Sequence, residues 1–323
     1  MQTATSTIFN LKGLTIGQAQ DTTALTGCTV FLFENGATVG VDVRGAAPGT
    51  REIAQLEPGN LVEKAHAIVL TGGSAYGLAA LDGVMAFLEE QDIGYDTKVA
   101  KIPIVTGAVL FDLAVGDPQV RPDFKMGYAA AKNANNKIFQ SGNYGAGTGA
   151  TVGKLKGTNY ATKGGIGCAT LAFKNGLIVS AVVAVNALGD IYAGEQQIAG
   201  MLNQQKNGWE NSADFILNGY QPKVFANGNT TIGIVITNAQ LDKAQCKKLA
   251  QTTHDAFAKC IRPTHTLYDG DAIFAAATGE LEFRDQLFLS VAVNRAMEQA
   301  IINAIKSAES TPNIPAGNEI INP

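Results

Sequence analysis

Strand-forming runs and long amphipathic helices follow one another along this chain without a regular strand–helix–strand spacing. That order restricts it to layered architectures, α/β or α+β, in which sheets and helices cover each other's apolar faces. Residues 28–34 and 37–44 are β-rich and joined by Asn35-Gly36, the dipeptide a tight hairpin prefers. Residues 67–71 read as a buried strand, which Gly72-Gly73-Ser74 breaks. A helix is predicted over 75–91, with Leu78, Leu81, Met85 and Leu88 on one side. Lys174-Asn175-Gly176, between CATLAF and LIVSAVVAV, predicts a second hairpin. The run TTIGIVITN at 230–238 sets Ile232, Ile234 and Ile236 on one strand face. Residues 241–261 carry a helical stripe of Leu249, Thr253, Phe257 and Ile261. Val293, Ala296, Met297, Ala300, Ile301, Ala304 and Ile305 mark a C-terminal helix at i, i+3, i+4 spacing. Residues 200–219 read as a polar loop or linker, and the proline-containing tail 310–323 as loose or docked on a neighbour. No internal repeat is present.

Composition narrows the classes of function. At 46% hydrophobic residues the chain has enough apolar material to offset chain entropy, so disorder is excluded as its main state. A net charge of −4 argues against a nucleic-acid partner. The longest apolar run, 177–187, is interrupted by Ser180 and Asn186 and falls short of the roughly 18 residues a membrane span needs. The first residues, MQTATSTIFNLKG, lack the basic and apolar regions of a signal peptide. Cys28, Cys168, Cys246 and Cys260 are scattered, as expected of reduced, buried thiols in a cytoplasmic protein. With only His66, His254 and His265, no histidine-rich metal site is expected.

Two glycine-rich segments imitate well-known chemistry. GAGTGATVGK at 145–154 has Thr148 where a phosphate loop needs its first glycine, and Leu155 where that loop needs Ser or Thr. A dinucleotide reading from Gly145 through Gly147 to Ala150 lacks a good preceding strand, leaving a close-packed turn that could line a site through Lys154. GGSAYG at 72–77 resembles a nucleophile elbow, but Tyr76 stands where the elbow needs glycine. Ser74 therefore reads first as a helix N-cap, and alternatively as a serine nucleophile with His254 or His265 as base. Tyr76, Tyr144 and Tyr268 read as packing residues, while Ser74, Tyr76 and Phe111 are candidate substrate contacts.

Stronger signals lie in FANGNTTIGIVITNA (225–239) and HTLYDGDAIFAAATGE (265–280). Asp269 and Asp271 flank Gly270 in an apolar context, where two carboxylates are costly unless solvated in a turn or paired. Together with LTGGSAYGLAALDGV, IPIVTGAVLFDL, GAGTGATVGKLKG, TKGGIGCATL and VVAVNALGD, these runs resemble the nylon-oligomer endo-hydrolases. They also resemble the wider family of L-aminopeptidase/D-Ala-esterases and β-aminopeptidases. The motifs occur in order over nearly the whole chain, apart from 200–219.

The resemblance implies an α+β fold, a four-layer αββα sandwich of the N-terminal-nucleophile hydrolase type. It implies a single domain over 1–323 that cuts itself between Asn229 and Thr230, leaving subunits 1–229 and 230–323. Thr230 is then the nucleophile, and its freed α-amine, with a reference pKa of about 7.7–8.0, can act as base. By the same resemblance Lys154 depresses the pKa of that amine, Asp269 and Asp271 orient it, and Asn186 donates to the oxyanion, a contribution of about 3 kcal/mol. A solvated Lys154 and a turn-capping Asn186 are the plainer readings. Phe111 stands where relatives place a tyrosine, which removes a hydroxyl from the site. No cofactor or metal is implied. The expected substrates are small peptides or amide oligomers, including 6-aminohexanoate oligomers, and the expected assembly is a homo-oligomer, tetrameric by resemblance. A catalytically silent binding protein is the reading from outside the enzymes.

Overall fold

A computed structural model describes residues 11–136, 138–219 and 228–321. Two sheets share one long strand. The first contains β1 (Leu14–Asp21), the N-terminal half of β2 (Thr26–Val43), β3 (Ala65–Thr71) and β4 (Val105–Val109). The second contains β5 (Gly165–Ala172), β6 (Ile178–Val185), β7 (Ile232–Ala239) and β8 (Ala272–Leu281), closed by the C-terminal half of β2. Pairing is parallel for β3 with β4 and for β7 with β8, and antiparallel between the other neighbours.

Side-chain alternation builds the layers, because successive strand residues point to opposite faces. Phe31, Phe33, Ile68, Leu70, Ile232, Ile234, Ile236 and Phe274 all face the core between the sheets. Cys28, Val30, Leu32, Ala67 and Val69 face the other way, against helices α1 (Ala80–Glu90) and α2 (Phe124–Lys132). Val179, Ala181, Val183, Ile273 and Ala275 face helices α3 (Lys243–Cys260) and α4 (Gln286–Lys306). The result is the expected four-layer αββα sandwich. Each fully buried Leu, Ile or Phe contributes about 1.5–3 kcal/mol, so three such interfaces hold the layers firmly together. Helix ends are set locally: Asp242 and Gln245 form a capping box at α3, and Asp285 caps α4.

The predicted strand 67–71, the hairpin at Asn175-Gly176, the isoleucine face of 230–238 and the C-terminal stripe are all present. Other expectations are corrected. Asn35-Gly36 makes no hairpin. A type I′ turn needs positive φ at both central residues, and only Gly36 has it, at 65°. Instead β2 bends there and passes from one sheet to the other. The helix predicted over 75–91 begins as a 3-10 segment, Ser74–Ala79, before α1. Ile261 lies beyond α3, in a short strand.

Residues 200–219 are not a detached linker. Buried Asp190 accepts from the Met201 and Ser212 peptide N–H groups and from Ser212 Oγ, at 2.7–2.8 Å, tying the start and the middle of the segment to the body. The tail docks on its own chain: Ile314 and Ala316 are buried, and Lys163 N–H donates to Pro315 O at 2.8 Å. The amino-terminal residues 1–10 and residues 220–227 and 322–323, which include parts of the segments read above, lie outside the described residues. Among the described residues, no helix is long and apolar enough to cross a membrane.

Candidate active site

Sheet register brings the site together. Because β6 runs antiparallel to β7 with Ala184 opposite Ile232, extending the ladder by two residues sets Asn186 beside Thr230. The Thr230 peptide N–H donates to Asn186 O at 3.0 Å. On the other side β8 runs parallel to β7, so Asn229 bridges to Asp269 and Gly270 N–H donates to Asn229 O at 2.9 Å. The Asn229–Thr230 peptide is thereby clamped between two neighbouring segments, with the two residues only 1% and 5% exposed. Thr230 Oγ1 lies 2.5 Å from Asn229 O, directly against the carbonyl of the bond that precedes it.

The charged groups surround this peptide. Lys154 is buried, and its Nζ donates to Asn186 O at 3.0 Å and to Asn186 Oδ1 at 2.9 Å. Burial lowers its pKa to about 7, against the opposing pull of Asp269, Asp112 and Asp271. The surface-lysine reading is thus excluded. Asn186 Oδ1 also accepts from Thr151 N–H, while its Nδ2 donates to Phe111 O at 3.0 Å. In this continuous chain the amide expected to serve an oxyanion is therefore occupied by the Phe111 carbonyl.

Asp269 and Asp271 are each 1% exposed, so the solvated-turn reading fails as well. Asp271 Oδ1 accepts from Thr231 N–H at 2.7 Å. Asp269 Oδ2 accepts from Thr266 N–H at 2.9 Å and Thr266 Oγ1 at 2.6 Å. Burial first, and then the charge of Asp271, push the Asp269 carboxyl above the usual range.

The candidate substrate contacts fare unevenly. Phe111 belongs to the site through its carbonyl and through its ring, which lies 2.6 Å from where a Cβ on Gly228 would stand. Ser74 caps nothing: the 3-10 segment starts without a side-chain cap, and Ser74 itself sits at φ 53°. His254 and His265 interact with Asp42 and Asp271, and among the described residues no hydrogen bond joins either of them to Ser74. Tyr76 is not a packing residue, being 62% exposed beneath the Arg121 guanidinium at 4.1 Å. Ser74 and Tyr76 approach the cluster only indirectly, since Asp112 Oδ1 accepts from Gly73 N–H at 2.8 Å and Asp112 also acts on Lys154 through its charge.

Asp112 and Gly270 were missed as site residues, and His265, read as a base for Ser74, instead lies 2.9 Å from Asp271. Asp112 could have been suspected as an isolated carboxylate in an apolar run, and it is buried with Thr26 Oγ1 donating at 2.7 Å. Gly270 carries no sequence signal beyond its place in DGD, yet a Cβ there would lie 2.5 Å from Ala47 O and 2.7 Å from Thr230 Oγ1. Gly270→Ala is expected to fold with a loss of about 1–3 kcal/mol from overpacking. It should also displace the Thr230 hydroxyl and slow any reaction of that group by about a hundredfold. Thermal melts and rates of fragment appearance on one preparation check this, and a wild-type rate would refute the contact.

The model of peptidase family S58 matches residues 6–316. An uncharacterized aminopeptidase of Mycobacterium leprae is 37% identical over 320 residues, covering 90% of this chain and 84% of that protein. A 6-aminohexanoate-oligomer endohydrolase of Kocuria sp. is 32% identical over 283 residues, covering 85% and 75%. Among solved structures, the L-aminopeptidase D-Ala-esterase/amidase from Ochrobactrum anthropi superposes with a TM-score of 0.73 at 18% identity, covering 98% of this chain and 93% of that one. Its structure is described as a variant of the N-terminal-nucleophile hydrolase fold, matching the αββα layering seen here.

Proposed function

The chain belongs to peptidase family S58 and is a hydrolase of amide bonds, and from that premise we propose that Thr230 is its nucleophile, freed by self-cleavage after Asn229. The observation that carries this reading is the clamped peptide, with the Thr230 hydroxyl on the Asn229 carbonyl and Gly270 N–H donating to that carbonyl's oxygen. Gly270 N–H is placed to stabilise the negative charge that develops on the oxygen during attack. Lys154, whose pKa of about 7 leaves much of it neutral near pH 7 and whose Nζ shares the Asn186 carbonyl with Thr230 N–H, is the proposed acceptor of the Thr230 Oγ proton. Oγ bonds to the Asn229 carbon, the C–N bond breaks, and the proton passes from Lys154 to the departing Thr230 nitrogen. Water then opens the ester, leaving a carboxylate on Asn229 and regenerating the hydroxyl.

Once cut, Thr230 carries an α-amine beside its own hydroxyl. Oγ attacks the substrate amide carbon, the substrate amine leaves with a proton, and water releases the acyl group. Lys154 and the Asp269–Asp271 pair set the charge around that amine. Asn186 Nδ2 becomes an oxyanion donor when the Phe111 carbonyl gives way to substrate.

The substrates are small peptides or linear amide oligomers. The endohydrolase similarity favours 6-aminohexanoate oligomers, and the aminopeptidase similarity favours short peptides or β-amino amides. A single domain cut into subunits 1–229 and 230–323 is proposed. So is a homo-oligomer, tetrameric by family resemblance, for which the exposed Leu287 and Val291 on α4 offer an apolar face. Four cysteines without disulfides fit the reducing cytoplasm, the proposed compartment.

The test is end-group sequencing and mass spectrometry of an active preparation, which should show fragments of 229 and 94 residues, the second starting TTIGI. Incubation with aminohexanoate oligomers and with β-alanyl amides then assigns the substrate. Cleavage of the amides alone would reject the oligomer reading.

A further inference from the structure

The reaction above leaves a pair of histidines unused, His254 fully buried and His265 partly buried. His265 Nδ1 lies 2.9 Å from Asp271 Oδ2, and the same oxygen accepts from His265 N–H and Thr264 Oγ1, each at 3.2 Å. The other carboxylate oxygen holds Thr231 N–H at 2.7 Å. Asp271 is thus a bridge, with the residue after the nucleophile on one side and His265 on the other. His254 packs edge-to-face on the His265 ring at 4.7 Å, and Phe257 lies nearly parallel to it at 6.0 Å. His254 Nε2 in turn lies 3.1 Å from Asp42 O.

These partners assign the tautomers. Facing a carboxylate, His265 Nδ1 must carry the proton, and facing a carbonyl, so must His254 Nε2. The two remaining nitrogens, His265 Nε2 and His254 Nδ1, are buried with no hydrogen-bond partner among the described residues. A ring kept only to fill space would be served by a fully apolar side chain, which leaves no buried nitrogen without a partner. The backbone of His265 is also held at φ 55°, a left-handed conformation uncommon outside glycine, with its N–H directed at Asp271.

We propose that His265 is a positioning residue, whose imidazole and peptide N–H fix the Asp271 carboxylate so that it grips Thr231 N–H and aims the Thr230 hydroxyl. His254 is the wall that keeps the His265 ring in place. This inference rests on Thr230 being the nucleophile.

Three variants and one wild-type measurement test it. His265→Ala removes the donor and is expected to slow both fragment appearance and kcat by about tenfold to a hundredfold, the scale of one charge-assisted hydrogen bond, with KM within about twofold. His265→Asn places an amide N–H where Nδ1 stood and should recover most of that loss, whereas His265→Phe fills the space without a donor and should not. Nitrogen-15 spectra of histidine-labelled wild type should show one ring protonated at Nδ1, the tautomer less favoured in water. This readout is independent of whether any variant folds. Wild-type rates in His265→Ala, an asparagine variant no better than alanine, or a His265 proton on Nε2 would each overturn the proposal. A fully active wild-type preparation left uncut at 229–230 would overturn the Thr230 reading instead, whatever His265 does.

Discussion

Thr230→Ala is expected to give one full-length chain of 33.7 kDa in denaturing gels, where two fragments are expected of the wild type, and to have no measurable amide hydrolysis. The substitution removes the hydroxyl that lies against the Asn229 carbonyl. Loss of a nucleophile costs on the order of a 10⁶-fold in kcat when the catalytic groups act as a unit. The protein should still fold, because the backbone contacts that clamp the segment are made by Thr230 N–H and Asn229 O, which alanine retains. A melting temperature within a few degrees of wild type would confirm that the loss is chemical. Thr230→Ser keeps the hydroxyl and should keep processing, at a reduced rate, because serine lacks the β-branch that restricts χ1. Amide hydrolysis by the intact alanine variant would reject the mechanism.

Lys154→Met is expected to slow self-cleavage by about 10²–10⁴-fold, the range for loss of a positioned general base. Methionine fills similar space but strands Asn186 Oδ1 without its Lys154 donor, so a modest loss of stability should accompany the kinetic effect. The pH dependence separates the possible roles of this side chain. Burial brings the Lys154 pKa down from 10.5 to about 7, so the neutral, proton-accepting form grows as pH rises and predominates above about 7. Cleavage of the wild-type precursor should therefore accelerate about tenfold per pH unit below that point and level off above it. Lys154→Arg keeps a positive charge that does not titrate in this range, and it should behave like methionine. Wild-type processing in the arginine variant would make Lys154 a source of charge and assign proton transfer elsewhere.

Much of the layering could be anticipated from local patterns. The alternation in TTIGIVITN, the stripe on the last long helix and the turn at Asn175-Gly176 each record a short-range requirement: which face is dry, or where φ must be positive. Local signals failed where a distant partner overruled them. Asn35-Gly36 carries hairpin chemistry, yet strand pairing with β1, β3 and β8 keeps β2 continuous. The polar segment 200–219 looks detached until Asp190, buried elsewhere in the sequence, gathers its backbone donors.

The candidate site divides the same way. Ordered motifs singled out Thr230, Lys154, Asn186, Asp269 and Asp271, and the described structure places all five around one peptide. The amino-acid order by itself determined which side chains are available and which faces must be buried, because both depend on residue type and on neighbours a few positions away. Only the tertiary structure decided that Gly270 donates to the Asn229 carbonyl, that Phe111 occupies the Asn186 amide, and that His265 holds Asp271. Those contacts follow from the register of β6, β7 and β8, which is set by the packing of whole sheets against helices. Hydrogen bonds and pKa shifts act over a few ångströms, so residues separated by tens of positions acquire them only after the layers have closed.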